Sequence, residues 1–323
     1  MHGCGAAGRM QVPDSALKRR AAAAGDAIDP VAIERGDQLF EITYLLLVSA
    51  SLDLLEQSGE SLAGRIAYLE LAPFNVRETQ TLPAGDLWVR GGFPDSLLAP
   101  DELHSLRWRQ DFIRTYLERD IPQFGPRIAA ETLRRLWGML AHHQGGLLNT
   151  AQFARNLGVD AKTAASYLDL LIVRRLPAWH ANIGKRLVKS PKVYVRDSGL
   201  VHALLNIPDK ETLMAHPVVG QSWEGFIIEN LLICAADKAQ GHFYRTSGGA
   251  EIDLLLAWPD GGLWAVEIKR SLSPRIERGF HADCEDLAPD RKFVVYSGQE
   301  RYRIAADIEA ISLAGLAAEI STA

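Results

Sequence analysis

Two apolar stretches carry residues of the types that hydrolyse phosphate esters. Gly249-Ala250-Glu251-Ile252-Asp253-Leu254-Leu255-Leu256 places an aspartate inside a strand-like run, and Leu263-Trp264-Ala265-Val266-Glu267-Ile268-Lys269 carries a glutamate and a lysine two positions apart. Pro259-Asp260-Gly261-Gly262 between them is turn-forming, so the whole reads as a β-hairpin. Residues two apart share one face of a strand, so Glu267 and Lys269 stand together and Asp253 can lie beside them on the neighbouring strand. Two carboxylates and a lysine within apolar strands are costly unless something compensates them. A divalent metal does so: two carboxylates can hold Mg²⁺ or Mn²⁺ while it keeps waters, one of which becomes the nucleophile. Lysine then orients that water or stabilises charge on a transferring phosphate. The competing reading is an edge strand with a solvent-facing salt bridge.

A second set of residues points to phosphate through charge. Residues 149–171 read as a helix, a turn at Gly158-Val159-Asp160 and a second helix, which with a helix over 130–143 makes a three-helix helix-turn-helix arrangement. The last helix would present Lys162, Thr163 and Ser166 outward, the position from which such helices enter a major groove. Between Ile172 and Arg196 follow seven bases and no acid: Arg174, Arg175, Lys185, Arg186, Lys189, Lys192 and Arg196. The chain as a whole has a formal net charge of −5, so a nucleic-acid role rests on this local patch. A basic strand pair after a helix-turn-helix suits a phosphate-contacting wing, with DNA as the partner. The alternative is a solvated basic face, or pairing with acids elsewhere such as Glu118, Asp120 and Asp197.

Other signatures do not hold. Gly3-Cys4-Gly5-Ala6-Ala7-Gly8 matches a dinucleotide pattern in letters, but no strand is expected to deliver it and no P-loop lysine follows. Gly220-Gln221-Ser222-Trp223-Glu224 begins like a nucleophile elbow but has glutamate where glycine must let the turn close. Cys4, Cys234 and Cys284 are isolated and odd in number, which excludes a disulfide framework and a zinc knuckle. No secretory signal is read near the start, so a reducing, cytoplasmic setting is expected. Apolar runs of about five residues, as at 44–48, are far short of a membrane span. With 323 residues, 47% apolar and 23% charged, the composition is that of a globular protein of two or three modules.

The elements that must position these residues follow from periodicity. Residues 1–40 read as a weakly ordered extension, 44–48 as a short strand, and 61–71 as an amphipathic piece. One long helix is expected over 101–120, ended by Pro122, and another over 222–236 ahead of the hairpin. Helices come first and a mixed sheet last, which suggests modules in series.

The aspartate followed across a hairpin by Glu-x-Lys is the PD-(D/E)-x-K nuclease signature, and Glu224 stands where nucleases of that fold often supply a further acidic metal ligand. Arg174-Arg175-Leu176-Pro177, the run from Gly184 to Tyr194, Arg196-Asp197-Ser198-Gly199-Leu200, Gly248-Gly249-Ala250-Glu251-Ile252-Asp253 and Ala265-Val266-Glu267-Ile268-Lys269 together resemble prokaryotic AAA-type ATPases with a C-terminal domain of unknown function. The resemblance runs from about residue 41 to the C-terminus. It implies a multidomain α+β protein: an ATPase remnant with a helical lid over 41–126, a winged helix-turn-helix over 127–204, and an α/β restriction-endonuclease-like mixed sheet over 205–323. Ser49, Ser51 and Arg65 would be residual nucleotide-side residues, in a chain with no intact Walker motif. ATP hydrolysis by this polypeptide is therefore not expected, and it reads as a member lacking the P-loop half. The expected function is a DNA-associated protein with a nuclease-like domain using Mg²⁺ or Mn²⁺, as a homo-oligomer or beside a partner ATPase. Its catalytic residues would be Asp253, Glu267 and Lys269, and its metal ligands Glu224, Asp253 and Glu267. Two alternatives are a non-catalytic nucleic-acid or protein binding module and, disfavoured, an ATP-binding protein.

Overall fold

The computed structural model describes residues 31–35, 38–42, 70–123, 128–179, 188–246 and 249–323. The chain falls into two compact units, residues 1–69 and 70–323. In the first, β1 (Val31–Arg35) and β2 (Gln38–Ile42) pair antiparallel, with Val31 opposite Ile42 and Arg35 opposite Gln38. This hairpin lies in a stretch whose sequence reads as a weakly ordered extension; its two alternating runs, Val31/Ile33 and Phe40/Ile42, are too short to register as a sustained period. The strand expected at 44–48 and the residues Ser49, Ser51 and Arg65 lie outside the described residues.

The second unit opens with helices α1 (Ala84–Arg90), α2 (Pro94–Leu97) and α3 (Glu102–Thr115). Asp101 caps α3 by accepting the His104 N–H at 2.9 Å. The long helix reaches its expected end at Asp120 through a π turn, Tyr116–Asp120, and continues past it for a last turn, Ile121–Gln123. Pro122 has no N–H to give the ladder, and the turn before it widens instead of ending the helix.

Helix α4 (Ala130–His142) buries Leu133, Leu136, Trp137 and Leu140, the residues its spacing selects. After β3 (Gly146–Leu147), Asn149 caps α5 (Thr150–Leu157) and Gly158 ends it with φ +72°. Asp160 caps α6 (Ala161–Asp169), and strands β4 (Val173–Leu176) and β5 (Lys192–Val195) follow. These strands form a small antiparallel sheet in the order β3-β5-β4.

Asp197 caps α7 (Ser198–Leu204), and α8 (Lys210–Ala215) leads into α9 (Val219–Ala235). Asp197 also accepts the Gly92 N–H at 2.8 Å, while buried Arg109 donates to the carbonyls of Ser105, Val89 and Gly199. The turn after α1 thus sits directly on the start of α7. A Cβ on Gly199 would stand 2.2 Å from the Arg90 carbonyl, so that approach requires glycine.

The remaining strands are β6 (Gln240–Arg245), β7 (Glu251–Ala257), β8 (Leu263–Lys269), β9 (Arg291–Tyr296), β10 (Tyr302–Ala305) and β11 (Ile308–Ser312). They make a mixed six-stranded sheet in the order β10-β11-β9-β8-β7-β6, with β8, β9 and β11 parallel. Helices α10 (Arg278–Leu287) and α11 (Leu313–Thr322) complete the fold. One face of the sheet, with Leu254, Leu256, Val266, Ile268, Phe293 and Val295, joins the core that holds α9 and α11. The other, with Ile252, Leu255, Ala265 and Val294, packs on Phe280 and Cys284 of α10. The fold is therefore mixed α/β, helical in its N-terminal part and sheet-based in its C-terminal part. Among the described residues no helix is long and apolar enough to cross a membrane.

Candidate active site

The site lies where the β7–β8 ladder stops. Pairing runs from Ala257 opposite Leu263 to Leu254 opposite Val266, and the next residues in register are Asp253 and Glu267. The pairing of β7 with β6 shifts register between His242 and Tyr244. This irregularity turns Ile252 and Leu255 to the same face and interrupts the alternation at Asp253. There the Asp253 Oδ2 accepts the Ile268 N–H at 2.8 Å, so the carboxylate replaces a backbone partner at the end of the ladder. Lys269 follows, its Nζ 2.8 Å from Glu267 Oε1 and 3.1 Å from Glu277 Oε1. Asp253, Glu267 and Lys269 are thus brought together, as the hairpin spacing anticipates.

Their electrostatics are unbalanced. Glu267 is only 6% exposed, and its Oε2 has no hydrogen-bond partner. Burial raises its carboxyl above the ordinary range, opposed by Lys269 and reinforced by Glu277 and Glu224. Asp253 is pushed well above the usual carboxylate range, first by burial and then by Glu224 and Glu267, with Lys192 and the Ile268 N–H opposing. Burial works against the Lys269 ammonium, yet Glu267 and Glu277 hold it above its ordinary value.

Glu224, one turn into α9, is engaged from another direction. Its Oε1 accepts from Lys192 Nζ at 2.8 Å and from the Tyr194 hydroxyl at 2.6 Å, both from β5. Lys192 also pairs with Glu251, whose other oxygen is 3.4 Å from Arg245. Helix α9 approaches β5 through Gly225, where a Cβ would stand 2.8 Å from Gln144 Nε2 and 3.0 Å from Tyr194 Cδ1. The same helix supplies Glu229, held by Arg174 at 2.5 and 2.8 Å and by Arg196 at 2.8 Å.

The basic stretch therefore has two populations. Lys192 is buried, Arg174 and Arg196 are half-buried on Glu229, and Arg175 pairs with Asp169 at 2.6 Å. Their partners are not Glu118, Asp120 or Asp197. Lys189 is exposed, as are Lys162 and Ser166 on α6. Thr163 is half-buried and donates to Asp160 at 2.6 Å within the cap of that helix. Lys185 and Arg186 lie outside the described residues.

Glu224, Asp253 and Glu267 offer oxygen donors alone, the set that hard divalent cations take, and the partnerless Glu267 Oε2 is a free lone-pair site. In charge and donor chemistry these residues suit Mg²⁺ or Mn²⁺. Among the described residues, however, no three His, Cys, Asp or Glu side chains already converge on a single point.

Ser222 and His202 form a second pair of chemical interest, with Ser222 Oγ 2.7 Å from His202 Nε2. Trp88 Nε1 donates to Ser222 at 3.1 Å, and His202 Nδ1 lies 2.9 Å from the Val89 carbonyl. Both residues are buried, so this serine has no route to substrate and the chain of bonds ties α9 to α1 and α7.

Two domains of unknown function cover these elements. Residues 84–211 match the domain of unknown function DUF8612, and residues 219–316 match the domain of unknown function DUF4143. Uncharacterized proteins of Mycobacterium tuberculosis (strain H37Rv) and Mycobacterium bovis are each 43% identical to this chain over 272 residues, which is 83% of this chain and 61% of theirs. The chain thus spans about three fifths of the length of the curated relatives it matches. No solved structure matches it.

Glu224, Asp253, Glu267 and Lys269 fall in the second matched domain, whereas Lys192 and Tyr194 fall in the first. The cluster is composite, and this part of it is what sequence reading misses. Lys192 groups with the wing there because its neighbours are basic. The available signal is its alternation with Tyr194 in an otherwise apolar strand, the same signal that singles out Glu267.

Proposed function

We propose that this protein is a divalent-metal-dependent phosphodiester hydrolase acting on nucleic acid, built on a PD-(D/E)-x-K frame. The observation that carries the reading is Asp253 and Glu267 side by side at the end of a ladder, with Lys269 adjacent and a Glu267 oxygen left without a partner. A structural salt bridge needs one acid for Lys269; here buried Asp253 lies against Glu267 and feels Glu224 as well, an arrangement that costs stability and supports reading the cluster as a site.

Glu267 and Asp253, with Glu224, would hold the metal, which would supply a bound water as nucleophile, made more acidic by the cation, and charge neutralisation at the phosphate. Asp253 is kept in place by the Ile268 N–H, so its other oxygen remains for the cation. Lys269 is anchored by Glu267 and retains its proton, which places a fixed positive charge beside the reacting phosphate. Its second partner, Glu277, is 78% exposed and can yield that bond to an incoming phosphate oxygen.

Within this reading the three helices α4–α6 and the small sheet act as a winged helix-turn-helix over 127–204, delivering DNA through Lys162, Lys185, Arg186 and Lys189. Residues 205–323 act as the restriction-endonuclease-like domain, and 41–126 as an AAA-type ATPase remnant and lid. We place the protein in the cytoplasm, as a homo-oligomer or beside a partner ATPase, with no ATP hydrolysis assigned to these residues.

The test is incubation of the purified chain with labelled single- and double-stranded DNA and RNA, with Mn²⁺ or EDTA, beside Glu267→Ala. Metal-dependent cleavage lost by at least about a hundredfold in the variant is expected. Cleavage retained in the variant would remove the site. Absence of cleavage by either protein would favour the second reading, a non-catalytic nucleic-acid or protein binding module, which the Glu267–Lys269 ion pair and the inward-facing arginines also suit.

A further inference from the structure

The buried ammonium of Lys192 sits where the acidic cluster most needs positive charge. Its side chain is 4% exposed, and Nζ contacts Glu224 at 2.8 Å as well as Glu251. Asp253 is close enough to act on it too. The residue does not belong to the hairpin or to α9: it reaches in from β5, which meets α9 through Gly225 and through Tyr194 on Glu224, and is tied to the turn after α4 by Gln144, bonded to both the N–H and the carbonyl of Val195. Glu224 Oε1 accepts from both Lys192 and Tyr194, while Glu267 Oε2 has no hydrogen-bond partner. One Glu224 oxygen thus takes two donors while one Glu267 oxygen takes none, and the three carboxylates do not converge.

We propose that Lys192 is the resident counter-ion of this site and competes with the divalent cation for Glu224, so that metal occupancy requires Lys192 to leave. The inference rests on reading the cluster as a cation site. The Lys192 ammonium pairs with Glu224 and Glu251 and not with Glu267, whereas a divalent ion held by Glu224, Asp253 and Glu267 would need all three at one point. Exchange of one for the other therefore switches the cluster between a closed arrangement, with β5 seated on α9, and a metal-loaded one. Lys192 is a positioning residue here, acting on Glu224, and the choice between the two cations belongs to the small sheet that carries it.

The experiment is a Mn²⁺ titration followed by electron paramagnetic resonance of free Mn²⁺, on the full chain, Lys192→Met and Lys192→Met/Glu267→Gln, each checked by thermal melting for a folded state. Lys192→Met is expected to bind Mn²⁺ at least about tenfold tighter than the wild type, with the gain lost in the double variant. A wild type that binds Mn²⁺ beside a Lys192→Met that binds no tighter overturns the proposal and leaves the metal-site reading standing. No Mn²⁺ binding by either protein overturns both. A second measurement needs no variant: amine acylation followed by peptide mass spectrometry should find Lys192 protected without Mg²⁺ and several-fold more reactive with it, while exposed Lys238 is unchanged. Equal labelling of Lys192 at an Mg²⁺ concentration that displaces Mn²⁺ from the wild type also overturns the proposal.

Discussion

At the scale of single residues, Asp253 is where stability and the proposed chemistry oppose each other. Its folded-state proton affinity lies above that of a free aspartate, raised by burial and by Glu224 and Glu267. A group with that sign contributes stability below its unfolded value and loses it as pH rises through the folded one. Once the pH exceeds its folded value, the native state therefore carries the cost of an ionised Asp253 among other acids. Asn keeps an oxygen for the Ile268 N–H and removes the charge, so Asp253→Asn is expected to melt several degrees above the wild type without metal. Added Mg²⁺ should raise the wild-type melting temperature and leave that of the variant unchanged; a lower melting temperature for Asp253→Asn would count against the site. Asp253, Glu267 and Lys269 are legible in the sequence because strand period and a turn decide which residues face one another across a short hairpin. Lys192 is not, because its partners Glu224 and Glu251 lie far along the chain, on α9 and β7, and only tertiary packing joins them.

At the scale of elements, strands β4 and β5 read as a basic wing, but their bases do different work. Arg174 and Arg196 share Glu229 on α9, with Glu229 only 9% exposed at its side chain. Arg174→Ala leaves a nearly buried carboxylate with one cation instead of two and is expected to cost about 1–3 kcal/mol of stability. It should leave the salt dependence of DNA binding unchanged. Lys162→Ala/Lys189→Ala, by contrast, removes exposed charges, so stability should hold while the slope of log affinity against log salt becomes shallower by about one for each phosphate no longer neutralised. Fluorescence anisotropy across a salt series, beside denaturant melts, separates the two; a shallower slope for Arg174→Ala would return that arginine to the DNA face. The helices α4, α5 and α6 are legible because caps and apolar spacing are local. The inward turn of the arginines is not, since a basic residue on a strand looks the same in sequence whether it meets phosphate or Glu229.

At the scale of the whole second unit, the buried core runs from α1 through the small sheet to α11, and His202 is one of the titratable groups buried within that unit. Burial lowers its pKa to about 4, and its two ring nitrogens are already committed to Ser222 and the Val89 carbonyl. Imidazole is therefore neutral in the native state and takes a proton on unfolding once the pH drops below its unfolded value of about 6.5. Its contribution is complete above that value and falls as pH drops toward 4, by about 3 kcal/mol in all. The carboxyls of Asp253 and Glu267 act with the opposite sign, because their raised folded values make the native state bind protons before the unfolded chain does. The wild type should therefore show a shallow loss of stability as pH falls through the interval between those two histidine values. Asp253→Asn/Glu267→Gln, which removes two of the opposing groups and leaves buried Asp197, whose folded value is also raised, should lose stability more steeply over the same range, as measured by urea unfolding at several pH values. Parallel curves for the two proteins would mean that the candidate site does not titrate against the fold, and the unbalanced carboxylates on which the metal reading rests would have to be abandoned.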